Sequence, residues 1–575
     1  MMTTHKTMIP LAAAFVIACA PGAFAQHEGH GAPDAIGSAS VKFQTSCAPA
    51  VTGDFNNGVA LLHSFWFPEA IKAFDSILAR DPNCAMAHWA IALSHWGNPF
   101  AGLKQGRSIE MTKAAIDKAQ TTGSPTPRER GYIQAVAQLV TAGDPGSHAA
   151  RIGAYETAME QVSRDNPADT EARIFYALSV NQTASPADKT YAKNLKAAGI
   201  LEPLFVQMPS HPGLAHYIIH AYDAPPLAER AVVAARKYAS LAPAIPHALH
   251  MPSHTFTRLG YWKESIETNR RSAEAARASS GGAGEELHAL DYQTYAYLQI
   301  AQDKAAKAVV DHAIAVVGGA EGAAAGAAGA GAFAVAAIPA RYALERGAWA
   351  EAAALTARPA NTVYTEAITH FARAIGAARS GNPAAATADI DRLAALRDKL
   401  RDAKDAYWTE QVDIQRRVAL AWQTYAQGRK DEAMAQLAAA ADAEDATDKS
   451  AISPGPLVPS RELLGYMLLE AGKPKDALVA FEATMKKEPN RFRGLYGGAS
   501  AAAAAVTAPA SCACAVGVAT SASINWSSRE SGASCCRCSV SIAASAASTS
   551  CERPRRRGRS DRSSSSTWCG NPCRK

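Results

Sequence analysis

Between about residues 53 and 505, apolar positions recur at intervals of three and four, the spacing of one face of an α-helix. No segment alternates apolar and polar residues as a half-buried strand does. The amphipathic runs are short and come in pairs separated by Gly-x-aromatic or Pro-containing turns, so the pattern predicts an all-α chain of about ten to twelve helical hairpins.

Two hairpins follow one template although four hundred residues separate them. Asn57-Gly58-x2-Leu61, Ala70-x3-Phe74 and Pro82 match Leu464-Gly465-x2-Leu468, Ala477-x3-Phe481 and Pro489, with twelve residues from Gly to Ala and twelve from Ala to Pro in both. Weaker copies begin at Gly260-Tyr261-Trp262, Gly347-Ala348-Trp349 and Gly428-Arg429-Lys430. The template resembles the tetratricopeptide (TPR) repeat, in which a small residue on helix A lets helix B approach closely. The chain is similar to exported bacterial TPR proteins with His-rich repeats. That resemblance implies a TPR-like α-solenoid, a right-handed superhelix of hairpins with disordered termini, whose core lies between neighbouring hairpins. It also implies that the A helices line a concave groove and that the usual task is to bind a peptide or protein there.

The ends and the middle depart from the pattern. Lys6, an apolar run from Met8 to Ala20, and Ala23-Phe24-Ala25 read as a signal peptide over 1–25, which predicts a periplasmic protein. Val16-Ile17-Ala18-Cys19 offers the alternative of a lipoprotein anchored through Cys19. Residues 26–52 read as a flexible segment, 53–317 and 331–505 as two halves of the array, and the Gly/Ala run 318–330 as a loop or hinge between them. No transmembrane segment is expected after signal removal. Beyond 506 the periodicity vanishes, and eight of the eleven cysteines lie in this tail. Its Ala/Arg/Ser/Cys mixture is what a GC-rich gene yields when read out of frame, so a frameshift near residue 500 is expected. A disordered basic tail is the alternative.

Charge changes the picture only once the tail is set aside. Residues 511–575 carry ten Lys/Arg against three Asp/Glu, a surplus of seven, so the chain's net +6 becomes −1 without them. A near-neutral body gives no electrostatic reason to expect nucleic acid as a partner. Cys47 and Cys84 are then the only thiols of the body, and they either pair or stay unreactive.

The candidate chemistry lies in three consecutive segments, HPGLAHYIIHAYD (211–223), PHALHMPSHTF (246–256) and ELHALDYQTYAY (286–297). Helical spacing gathers His216, His220 and Asp223 on the first, His247, His250 and His254 on the second, and His288, Asp291 and Tyr295 on the third. Pro252 lies between His250 and His254, where it kinks a helix or starts a new one. Two readings follow. In one, the chain is a binding scaffold and its histidines tune the polarity of a peptide, protein or small-ligand groove. In the other, it is a metalloprotein or metal-dependent enzyme. There His216, His220, His250 and His254, with His247, hold a Zn, Cu, Ni or Fe ion, and Asp223, His288 and Asp291 serve as outer partners or general base. The second reading expects His220, His250 and His254 at the centre of a convergent site. His63, His88 and His95, on the first A helices, read as packing rings.

Overall fold

The computed structural model describes residues 41–104, 106–141, 148–327, 329–357 and 360–507. The signal-peptide, Cys19 and tail expectations therefore fall outside the described residues. Among those described there are twenty-five α-helices, from Thr52–His63 to Phe492–Thr507, and no strand. The protein is an all-α, TPR-like solenoid. No described helix is long and apolar enough to cross a membrane.

The template residues act as the pattern requires. A Cβ on Gly58 would lie 2.7 Å from Cζ of Phe74, and one on Gly465 would lie 2.7 Å from Cζ of Phe481. Both rings are completely buried. Each Phe thus fills the space that the missing side chain leaves, and the two helices of a hairpin close around it. Gly465→Ala is expected to lower stability by about 1–3 kcal/mol, because the ring must leave its rotamer or the helices must part. Gly53→Ala, in a helix with nothing within 4 Å of the added carbon, should gain up to about 1 kcal/mol from helix propensity. Urea midpoints of the two variants moving the same way would remove the close-approach explanation.

The structure corrects two boundaries. The segment 41–52, expected to be flexible, is packed: Val41 and Phe43 are buried, and the Phe43 ring lies 5.3–5.5 Å from those of Phe55, Trp89 and Tyr132. Val51 is buried as well, and a Cys47–Cys84 disulfide fastens the stretch to the second hairpin. The Gly/Ala run, expected to be a loop, contains helix Ala320–Ala325 and the start of helix Gly329–Glu345. Alanine is the best helix former, and residues without bulk let this stretch approach helix Ala283–Gln299, with a Cβ on Gly331 only 3.6 Å from Cα of Gly284.

The C-terminal hairpins fold back onto the middle of the chain. The Trp262 indole donates to the Asn490 carbonyl (2.8 Å), Lys189 pairs with Asp448 (2.8 Å), and Arg491 donates to the Tyr295 hydroxyl (2.8 Å). The connection 446–459 between helices Lys430–Asp445 and Ser460–Glu470 is pinned by buried Arg341, which donates to Ser453 Oγ and to the carbonyls of Gly455 and Pro456. Tyr292, within the third histidine segment, donates to the Ser453 carbonyl of the same connection (3.2 Å). The histidine segments are thereby covered, and their imidazoles are buried rather than lining an open groove.

Candidate metal centre

Proline starts every helix of the first two histidine segments. Pro212 opens helix Pro212–Ala221, Pro246 opens Pro246–His250, and Pro252 opens Pro252–Arg258. The break at Met251 costs little phase, because its backbone stays right-handed helical (φ −53°, ψ −37°). His250 and His254 therefore still face each other across Pro252. The helix of the third segment, Ala283–Gln299, lies alongside and brings His288.

Six of the eight candidate residues sort into two triads. His216, His220 and His247 form one, His250, His254 and His288 the other, and in each the three donor atoms lie within 4.8 Å of one another. Three nitrogens bound about 2.1 Å from one tetrahedral ion stand about 3.4 Å apart. The closest pairs here are His216 Nε2 to His247 Nε2 at 3.3 Å and His250 Nε2 to His254 Nε2 at 3.0 Å.

Outer partners decide which nitrogen faces inward. His254 Nδ1 lies 2.8 Å from the Asp223 carboxylate, which can only accept, so Nδ1 carries the hydrogen. His250 Nδ1 lies 2.7 Å from Asn269 Oδ1, and the Asn269 amide nitrogen donates to the Ser265 carbonyl, which fixes the amide's orientation. His216 Nδ1 donates to the His63 carbonyl (2.6 Å). Each of these three rings then presents a bare lone pair at Nε2. At 3.0 Å, His250 and His254 point lone pair at lone pair, an arrangement that repels unless a proton or a metal ion lies between.

A proton is the weaker candidate. Burial pushes His216, His220 and His250 well below the ordinary imidazole range, His254 down to about 4 despite Asp223, and His288 down to about 3. At neutral pH these rings are neutral, the form a metal requires. Asp223 is kept ionised: burial opposes its charge, but Lys449 (3.1 Å), Arg258 (2.9 Å) and His254 hold it well below the carboxylate range. His220 Nε2 and His288 Nδ1 are buried without a hydrogen-bond partner, which costs free energy unless something else takes the lone pair or the hydrogen.

Two polar residues of the third segment stand elsewhere. Asp291 pairs with the guanidinium of Arg341 (2.9 Å), both fully buried, because the cation is the only nearby group able to neutralise it. Tyr295 takes the hydrogen bond from Arg491 instead of facing the histidines. The ring that does face them is Tyr292, with centroids 4.6, 5.4 and 5.3 Å from those of His250, His254 and His288. Phe65 covers the other triad, 4.4 Å from His216, 5.3 Å from His247 and 6.0 Å from His220, and Phe100 stacks on His220 at 4.1 Å. Phe65 holds φ at +56°, a left-handed conformation costly for an aromatic residue. His63 is more than a packing ring. Its Nε2 lies 2.9 Å from Glu171 and its Nδ1 2.9 Å from the Tyr217 hydroxyl, while Glu171 also bonds His211 (3.0 Å). That polar cluster ties helix Thr52–His63 to helix Pro212–Ala221 and so places the carbonyl that orients His216.

No protein-family model matches the chain, and no curated protein does. Solved structures similar to it are of helical-repeat type. One is the apo form of RapI, 9% identical, covering 66% of this chain and 96% of that one with a TM-score of 0.31. Another is yeast Tom70, 10% identical, covering 79% and 88% with a TM-score of 0.27. The TPR domain of P58(IPK) is 13% identical, covering 80% and 100% with a TM-score of 0.20. Likeness this slight says nothing about ligand or partner.

Proposed function

We propose that the chain is a transition-metal-binding protein in which the helical repeat is the housing and the buried imidazoles are the ligands. The observation that carries this reading is the 3.0 Å approach of two inward lone pairs, on His250 and His254, with both Nδ1 atoms engaged by acceptors behind them. Ligand imidazoles bonded outward through Nδ1 are the usual arrangement around a metal. A donor set of imidazoles without carboxylate favours Cu, Zn or Ni over the harder Mg, Ca and Mn. The Cys47–Cys84 disulfide supports an exported protein in an oxidising compartment.

A peptide- or protein-binding role, implied by the repeat, concerns other surfaces than the histidines. The face of helix Phe492–Thr507 that exposes Leu495, Tyr496 and Val506 is one such surface.

The metal reading is tested by titrating chelator-treated protein with Zn(II) and measuring bound metal after gel filtration. Stoichiometric uptake is expected, severely weakened in His254→Ala and unchanged in His370→Ala, whose ring bonds Asp389 outside both triads. Wild-type protein that emerges without zinc, or a His254→Ala variant that binds as tightly, would overturn it.

A further inference from the structure

We infer that the two triads form one binuclear centre, which takes two like first-row transition-metal ions side by side. This rests on the metal-binding reading above and goes beyond it in the number of ions and in their coupling.

The donors sort into two groups of three rather than one group of six. Each group is complete as an open three-nitrogen site, with room for one further ligand on its ion. The groups adjoin: the rings of His220 and His254 have centroids 5.8 Å apart, and those of His247 and His250 6.3 Å apart. Metal pairs that share an oxygen ligand sit about 3.5–4 Å apart, a separation that ring contacts of this size allow.

The supporting structure is also shared. His247 and His250 belong to one short helix yet serve different triads. Asp223, which follows the helix carrying His216 and His220, holds the ring of His254 in the other triad. Neither group is therefore built independently of its neighbour.

Charge then implies what lies between the ions. Imidazoles bind a metal as uncharged donors, Asp223 is already matched by Arg258 and Lys449, and Glu285, 3.8 Å from His247, brings a single negative charge. Two buried dications need more negative charge than that one carboxylate brings, since uncompensated buried charge is costly. The open position on each ion is where a small oxygen anion such as hydroxide can bridge them.

Exposure divides the six rings. His220, His247 and His288 keep 7–8% of their surface exposed, whereas His216, His250 and His254 keep 0–2%. The same three lack a short outer hydrogen bond among the described residues, for His247 Nδ1 is 3.8 Å from Glu285, beyond hydrogen-bond reach. Each triad thus contributes both pinned rings and free ones.

Copper(II) serves as the probe, added to the full chelator-treated chain and followed by elemental analysis and electron paramagnetic resonance. Two ions per chain are expected, with less spin intensity at two ions than two isolated ions give, or with a half-field line. His220→Ala and His288→Ala, one in each triad, should each bind a single ion with full, uncoupled intensity, and circular dichroism establishes that they fold. Two bound ions with full intensity and no half-field line would overturn the binuclear centre and leave the metal-binding reading intact, as would saturation at one ion. Absence of any bound copper would sink both.

Discussion

Arg491→Ala is expected to destabilise the fold by about 3–5 kcal/mol, because removing one partner of a buried ion pair strands the charge that remains. Arg491 is fully buried and bonds Glu345 (2.8 Å), Glu462 (3.0 Å) and the Tyr295 hydroxyl (2.8 Å), so its loss takes a cation from two carboxylates. Arg493 still reaches Glu462 (3.2 Å), but Glu345 is left with the amide of Gln299 at 3.2 Å. The site of failure should be the closure of the C-terminal hairpins on the middle of the chain. Arg270→Ala, which removes two half-exposed pairs within one helix, should cost less than about 1 kcal/mol. Urea unfolding of both variants measures the difference. Equal midpoints would mean that the Arg491 cluster contributes no more than a surface pair.

Asp223→Ala should act on stability and on metal together. The carboxylate holds Arg258, Lys449 and His254 at once, and all three are nearly buried. Lys449, already lowered to about 8 by burial, can shed its proton when Asp223 is gone. Arg258 cannot, so a loss of about 3–5 kcal/mol is expected. Because Asp223 also fixes the tautomer of His254, metal affinity should fall by about 10–100-fold. Zinc titration at a temperature where the variant remains folded separates the two effects. A variant destabilised but with unchanged affinity would remove Asp223 from the metal's support.

Much of the architecture is legible from spacing alone. The same sixteen-residue offset sets Phe74 after Gly58 and Phe481 after Gly465, since close approach of two helices leaves a local and periodic trace. The i, i+4 pairs His216/His220 and His250/His254 are legible for the same reason. What spacing cannot supply is the partner on another helix. Asn269, Glu171, Phe65 and Tyr292 look like ordinary residues of amphipathic helices and their turns, and nothing local distinguishes Asp223, which faces His254, from Asp291, which faces Arg341. The Gly/Ala run misleads because its helices depend on packing against a neighbour, a condition absent from the run itself.

The contact between Asp223 and Lys449 spans 226 residues. An exported chain arrives with its N-terminal part first, so the histidine segments reach the receiving compartment before Lys449 does. During that interval the histidine helices can exist while the segment that covers them does not. The order of assembly therefore leaves an opening in time, before the chain closes, when an ion meets the imidazoles without having to pass between packed helices.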